Sequence, residues 1–388
     1  MGIATGTVDT EAILADEKVV DMEDEFRLLQ PDETQFMTIL NKLPSKVAKA
    51  IKVNWLEDDY FPRQARVEGS QTNVDTAIEV EAGQGLYFRA NDLVRVMRTG
   101  EMIEVTSVAT DTLTVVRGVG SATNQAMNDA DELLIVSNAS AQGADVGILK
   151  ITTRTLGFNY TQIVRHPFGF TNTDVEIETY GPGDPMNEIA KKAVEHKRSL
   201  EALHWFGARD FVSASPSSKG YMGGIAEYLV TNVFSSIGNL SRGVLDDKLR
   251  VIFQNGSRNK AIFAAPVPGQ ALSGLMADNW VRAQPGQKLY GAKVSGFITG
   301  AFGDEVPVIV KREWGAFPTA SNQYGSWMFV IDLDYVKKRP FRNRGTKLLR
   351  NRQGNGEDKT THEYLTELSM EVSVEAAHGI LKGVTGPA

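Results

Sequence analysis

"YGPGDPMNEIAKKAVEHKRSLEALHWFG", residues 180–207, is the stretch on which the fold turns. Asp184 suits an N-cap and Pro185 the first helical position, while Ile189, Ala193, His196, Leu200 and Leu203 form one stripe that ends at Gly207. Lys191 with Glu195, and Lys197 with Glu201, have the spacing of ion pairs on an outer face. A helix of this length spans roughly 30 Å at 1.5 Å per residue. It is long enough to be the backbone of a domain.

Upstream of the helix the sequence reads as strands. "KVNWLEDDYFPRQARV" (52–67) is rich in β-branched and aromatic residues and interrupted by Pro62, which fits an edge strand. "GILKITTRTLGFNYTQIVRH" (147–166) is its counterpart. Between them, Val94 and Val96, Ile103 and Val105, and Leu113 and Val115 alternate with polar residues, with turns expected at Thr99-Gly100 and Thr110-Asp111. "ELLIVS" (132–137) adds a fourth strand, and Gly83, Gly85 and Gly143 flank the set. A compact β module at 84–143, inserted between two longer strands, is the expectation.

Downstream, shorter elements alternate. Helices are predicted at 244–255 and near 269–279, with strands "AIFAAP", "KVSGFIT", "VPVIVKR" and "WMFVIDLDYV", which together make an α/β region at 241–340. The chain closes with the strand-like "YLTELSMEVSVEAAHGILKGV" (364–384). Mixed α+β architecture follows, with more than one core in 388 residues.

Charge is unevenly placed. Residues 9–33 hold ten acids, Glu23, Asp24 and Glu25 among them, against Lys18 and Arg27. "KKRPFRNRGTKLLRNR" (337–352) holds eight bases and no acid: Lys337, Lys338, Arg339, Arg342, Arg344, Lys347, Arg350 and Arg352. The two runs are complementary, and a contact between them across neighbouring subunits is the expectation, favoured over DNA as the partner of the basic run. Such a contact would weaken as salt rises.

The residues offer little chemistry. The chain has no cysteine, which rules out disulfides, thiol catalysis and thiolate metal sites. His196 and His204 lie eight apart without the His-Glu-x-x-His spacing, and His166, His362 and His378 are isolated, so packing roles are expected for them. Asp332-Leu-Asp334 lacks the rest of a calcium loop and reads as a solvated strand edge. Ser257-Arg-Asn-Lys260 lacks the companion motifs of serine acyl enzymes, and "GYMGGI" and "RGVGSA" lack those of phosphate loops. No catalytic residue, metal or cofactor is expected. Neither a secretory signal nor an apolar run of transmembrane length is present, so a cytosolic origin without membrane attachment is expected. A total charge of −7 argues against nucleic-acid binding as a property of the whole chain.

The order of parts resembles the major capsid protein of tailed bacteriophages, the Hong Kong ninety-seven type fold. "GEMIEVTSVATDTLTVVRGVGSAT" looks like the β modules of phage head proteins, "NYTQIV" like the returning strand of a subgroup carrying such a module, and "HGILKGV" like that subgroup's C-terminus. The resemblance implies an N-terminal arm at 1–50, an extended loop at 51–83 and 144–180 carrying the β insertion at 84–143, a peripheral domain with its spine helix at 181–240 and 341–388, and an axial domain at 241–340. It further implies a homo-oligomeric shell of hexamers and pentamers around viral double-stranded DNA, assembled in the bacterial cytoplasm with portal, scaffold and decoration proteins. The DNA would be enclosed without sequence-specific binding. Two other readings stay open: an encapsulin-like compartment, which shares the fold, and a cytosolic enzyme with an appended binding module, which needs a convergent polar pocket.

Overall fold

A computed structural model describes residues 34–143, 149–177, 184–214, 216–276, 288–289, 292–293, 295–298, 305–315 and 324–387. The chain divides into two compact units, Leu56–Leu156 and the remainder. Helix α1 (Gln35–Leu40) comes first, and β1 (Lys52–Glu57) leads into the smaller unit.

The smaller unit is a closed antiparallel sheet. Its strands β2 (Gln64–Arg66), β3 (Ala77–Glu79), β4 (Asp92–Val96), β5 (Met102–Ala109), β6 (Thr112–Val116) and β7 (Glu132–Asn138) lie in the order β2-β7-β4-β5-β6-β3. Val67 bridges Val80, Glu68 N donates to Glu79 O at 2.9 Å, and Glu81 N donates to Arg66 O at 3.0 Å. The two ends of the sheet thereby meet, and no long edge is left open. The alternating residues Val94, Val96, Ile103, Val105, Leu113 and Val115 fill the interior with Ile78, Val80, Phe88 and Leu133. Four of the six strands are those expected at 84–143. The other two, β2 and β3, come from the stretch before it; each is three residues long with one buried side chain, too short to show a period.

Two residues of this unit are explained by closure. Gly85 packs so tightly on the turn after β5 that a Cβ would sit 1.9 Å from Thr110 O. Arg117, in the glycine-rich "RGVGSA", forms a buried two-pronged pair with Glu101, Nε to Oε1 and Nη2 to Oε2 both at 2.7 Å. Burial alone would raise the Glu101 pKa, but the Arg117 guanidinium and the Gln125 and Gly118 amides together hold it below the ordinary carboxylate value.

Strand β8 (Thr155–Tyr160) leads back and pairs with β1. The larger unit continues with β9 (Gln162–Thr171), α2 (Asn172–Glu176), α3 (Asp184–Phe206), β10 (Asp210–Val212), β11 (Lys219–Tyr221), α4 (Ile225–Tyr228), β12 (Val233–Phe234), β13 (Gly238–Leu240), α5 (Arg242–Phe253), β14 (Lys260–Ala264) and α6 (Pro266–Met276). After these come β15 (Lys288–Leu289), β16 (Ala292–Lys293), β17 (Ser295–Ile298), β18 (Glu305–Val310), β19 (Met328–Asp332), β20 (Val336–Pro340), β21 (Lys347–Leu349), β22 (Lys359–Val372), β23 (Gly379–Leu381) and β24 (Val384–Pro387).

Its central sheet has the order β12-β23-β19-β14-β18-β17, with β14 parallel to β18 and antiparallel to β19. All of β14 is buried because both faces are covered. Ile262, Ala264, Met328 and Val330 face a layer with Leu245, Leu249 and Ile252 of α5 and Leu272 of α6. Ala261, Phe263, Phe329 and Ile331 face the opposite core, where Trp205 at the end of α3 meets Phe36, Phe263, Trp314 and Phe329 at ring-centroid distances of 4.4–5.1 Å. The sheet expected from 241–340 alone also recruits β12 and the C-terminal β23.

A second sheet is organised on the fourteen-residue β22, which pairs with β9 over ten residues and carries β20 and β21 on its other edge. The long helix α3 ends where expected: Gly207 N donates to Leu203 O at 3.0 Å, and a Cβ at Gly207 would sit 2.3 Å from Met222 O. The side chains of Asp184 and Pro185 fall outside the described residues, so their capping role stays an expectation.

Three expectations are corrected. Lys191 does not pair with Glu195: Lys191 takes Glu188 at 3.2 Å and Glu195 takes Lys192 at 2.6 Å. Glu201 does not pair with Lys197 on an outer face; it is buried and bound to Lys311 Nζ at 2.7 Å. Asp332 is not on a solvated edge. It is fully buried, taking Lys260 Nζ at 3.0 Å and Ser257 Oγ and Ser257 N at 2.7 Å each. Four donors, counting Asp334 N at 3.1 Å, together with the charge of Lys260, account for a carboxylate in the core.

Candidate assembly surfaces

Three surfaces can meet other molecules, and each is built from residues already placed. The first lies in the smaller unit. Segments 56–61 and 149–156 are tied together where Thr152 Oγ1 donates to Asp58 Oδ1 at 3.0 Å; Lys150 Nζ anchors the second of them to residues 86–88 by donating to Leu86 O at 2.8 Å and to Phe88 O. Polar anchors leave the apolar side chains outside: Tyr60 is 94% exposed, Leu149 85% and Ile151 88%. Tyr60 and Ile151 border a groove of about 570 Å³ that also involves Phe61 and Thr152. Held apolar groups facing solvent mark an interaction surface rather than a loose loop.

The second surface is on the larger unit. Ile51, Ile163, Phe211 and Tyr221 surround a cleft of about 210 Å³ whose polar wall is Thr161 and Glu367, joined by a 3.3 Å hydrogen bond. Ile51, Ile163 and Tyr221 are all exposed there.

The third surface is the basic run, which the fold splits. Within β20, Arg339 turns inward and pairs with Glu371 of β22 at 2.7 Å; both side chains are nearly inaccessible. Lys338 donates to Asn41 Oδ1 at 2.7 Å, and burial lowers its pKa. Arg344 lies 2.5 Å from Glu367, Lys347 donates to Asn343 O at 2.9 Å, and Lys337 is half-buried. Arg342, Arg350 and Arg352 point outward with no ion pair among the described residues. The strand alternation that divides them was open to reading; the acids of β22 that receive Arg339 and Arg344 were not, because they lie more than twenty residues away. Glu23, Asp24 and Glu25 lie outside the described residues.

A partner to this run escaped the sequence reading. Residues 46–48 lie beside β20, with Lys46 N donating to Lys338 O at 3.3 Å, Ala48 N to Pro340 O at 2.8 Å and Arg342 N to Ala48 O at 3.1 Å. They bring Lys46 to that sheet edge, with Lys42 and Lys49 close by in the chain, all three exposed, and there is no acid from Thr34 to Lys52. Four lysines at intervals of three or four were the available signal.

Four of the chain's histidines are buried and His166 is half-buried. His204 Nδ1 donates to Leu200 O at 2.6 Å, and burial lowers its pKa to about 4. His378 Nδ1 accepts from Asp332 N at 3.0 Å, again with burial lowering its pKa to about 4. His196 lies 2.7 Å from both His166 Nδ1 and Thr366 Oγ1, and burial followed by the His166 charge brings its pKa to about 4. No group of acids and histidines among the described residues has the geometry of a metal site, and no described helix is long and apolar enough to cross a membrane.

Comparison with known proteins agrees with surfaces made for assembly. No curated protein matches the chain. The capsid of a native GTA particle superposes with a TM-score of 0.52 at 10% identity, covering 97% of both chains. The capsid of the empty GTA particle gives 0.50 at 10% identity over 97% of this chain and 98% of that one. The holo-SrpI encapsulin complex from Synechococcus elongatus PCC 7942 gives 0.43 at 11% identity over 60% of this chain and 78% of that one. The GTA capsids establish the fold as that of a capsid subunit, as the resemblance implied. The family model of the SU10 major capsid protein matches residues 3–385, and the chain therefore belongs to that family, as a structural protein of a phage capsid shell.

Proposed function

We propose that the chain closes into a shell of hexamers and pentamers around double-stranded DNA, assembled in the bacterial cytoplasm with a portal, a scaffold and decoration proteins. The observation that carries the reading is the trio Tyr60, Leu149 and Ile151, held in place by Asp58, Thr152 and Lys150 and left in water by their own chain. A stable monomer gains nothing from them. A neighbour that covers them gains about 1.5–3 kcal/mol for each large side chain fully buried.

The parts take roles accordingly. Residues 1–50 serve as an arm, β1 and β8 with their flanks (51–83 and 144–180) as the extended loop, and the module around 84–143 as an insertion that offers contact area. Residues 181–240 and 341–388 form the peripheral domain and 241–340 the axial domain. Rings of identical subunits need heterologous contacts, in which one patch meets a different patch on the next copy. The exposed trio Tyr60, Leu149 and Ile151 and the cleft around Ile51 and Tyr221 are two such patches. No catalytic step is assigned to the chain.

Negative-stain electron microscopy of concentrated protein, alone and co-expressed with its scaffold, tests the reading. Rings or closed shells are expected. A chain that stays monomeric under both conditions overturns it.

A further inference from the structure

Two imidazoles meet where the long helix lies on the second sheet. His166 of β9 and Tyr364 of β22 are register partners, and both touch His196 of α3. His166 Nδ1 lies 2.7 Å from His196 Nδ1, and the Tyr364 ring stacks on His196 at a centroid distance of 5.9 Å. On its other side His196 Nε2 lies 2.7 Å from Thr366 Oγ1, which donates to Thr346 Oγ1 at 2.9 Å. Both nitrogens of a ring that is only 1% exposed are therefore engaged. The contact matters because of its place on α3. From Met186 to Glu195 no side chain is buried, whereas Leu200, Glu201, His204 and Trp205 beyond it all are. The first half of the helix leans on the sheet through His196 and through the 3.2 Å bond from Tyr364 Oη to Ile189 O.

We propose that this pair is an acid-operated latch, which fastens residues 186–196 of α3 to β9 and β22 and releases them when both rings are charged. Two nitrogens at that distance share one hydrogen, with one ring donating and the other accepting. His166 protonated on both nitrogens still donates from Nδ1, so a first proton leaves the bond intact. A second proton, on His196, puts a hydrogen on each facing nitrogen and a charge on each ring. The bond is then lost and the charges repel. No carboxylate stands by to offset them. Lys192 and Glu195 of α3 pair with each other at 2.6 Å, Arg165 of β9 is held by Glu363 of β22 at 3.2 Å, and His362 of β22 accepts from Asn351 N at 3.4 Å. Neither ring of the pair has an acid partner among the described residues. Burial, followed by the His166 charge, holds the His196 pKa at about 4 while the latch is closed, against about 6.5 once the helix is released. The released form binds more protons between those limits, so the latch is whole above about 6.5, weakens as pH falls, and contributes nothing below about 4. At pH 5 the balance has moved toward release by roughly 20-fold relative to pH 7. The device belongs to the single chain and holds or fails independently of shell formation.

Amide hydrogen exchange reads local opening directly. The full-length unassembled chain is exchanged at pH 7 and pH 5, corrected for the intrinsic pH dependence of amide exchange and read by mass spectrometry. Peptides from residues 186–196 are compared with peptides from residues 200–206 of the same helix. Protection of the first should fall at least tenfold more than that of the second, because any loss of global stability through His204 and His378 lowers both alike. Equal falls, or none, overturn the proposal, and this comparison needs no variant. His166→Gln then tests the pair as the cause. An amide oxygen accepts from His196 whether or not that ring is charged, so residues 186–196 of the variant should stay protected at pH 5. A variant that opens in acid as the parent does assigns the response to the burial of His196 alone and overturns the latch.

Discussion

At the scale of single residues, the chain is held together by charges that have been taken out of water. Glu201 is the clearest, because one carboxylate satisfies two amides of α1 and neutralises Lys311. Replacing it with glutamine removes the carboxylate charge from beside the buried Lys311 ammonium and weakens its hold on the two α1 amides, and a loss of about 3–5 kcal/mol is expected in urea unfolding of the unassembled chain. Adding Lys311→Met to that variant should recover part of the loss, since it takes the ammonium charge out of the core. The buried histidines set the pH response. His204 and His378 have folded pKa values lowered to about 4 by burial, against about 6.5 unfolded. Between those limits the unfolded chain binds more protons, so stability is whole at pH 7, declines as pH drops below about 6.5, and the contribution is gone below about 4. Each shift corresponds to about 3 kcal/mol. Urea midpoints measured from pH 7 to pH 4 should fall accordingly, and His378→Gln should reduce the slope by one proton.

At the scale of elements, what was legible in the sequence had a period and what was not had a partner. α3 shows its stripe and its glycine stop, and β4, β5 and β6 alternate in plain view. β2 and β3 do not, because three residues cannot display a period; they are strands only because the closing sheet needs them. Glu201 and Asp332 were misread for a related reason. A lone acid in a sequence looks solvated, and the lysine that buries it lies 110 residues away for Glu201 and 72 for Asp332. The basic run was visible as composition, but which of its members face outward depends on the pairing of β20 with β22. Closure gives a direct test. Residues 56–156 expressed alone should show dispersed amide signals by NMR, since every strand of the closed sheet is present. Residues 84–143 alone lack β2 and β3, leave two edges open, and should aggregate or give broadened signals. Equal dispersion from both fragments would show that closure contributes nothing to folding.

At the scale of the whole molecule, the question is which force joins the copies. The basic run taken by itself points to ion pairs between subunits, and assembly would then weaken as salt rises. The fold turns the expectation round. Arg339 and Arg344 are spent on acids of their own chain. What a single chain leaves unsatisfied is apolar: Tyr60, Leu149 and Ile151 in the smaller unit, and Ile51, Ile163 and Tyr221 around the cleft in the larger one. Burial of such groups is strengthened by salts excluded from protein surfaces. Sodium sulfate should therefore lower the protein concentration at which shells form, as followed by light scattering. Leu149→Asp with Ile151→Asp should abolish shells at every salt concentration while leaving the urea midpoint of the unassembled chain within about 0.5 kcal/mol of the parent, because both side chains are already in water. Reversing Arg342 and Arg350 to glutamate should leave assembly standing. Shells from the double aspartate variant, or their loss from the arginine variant alone, would return the lattice to electrostatics and leave the exposed trio without a partner.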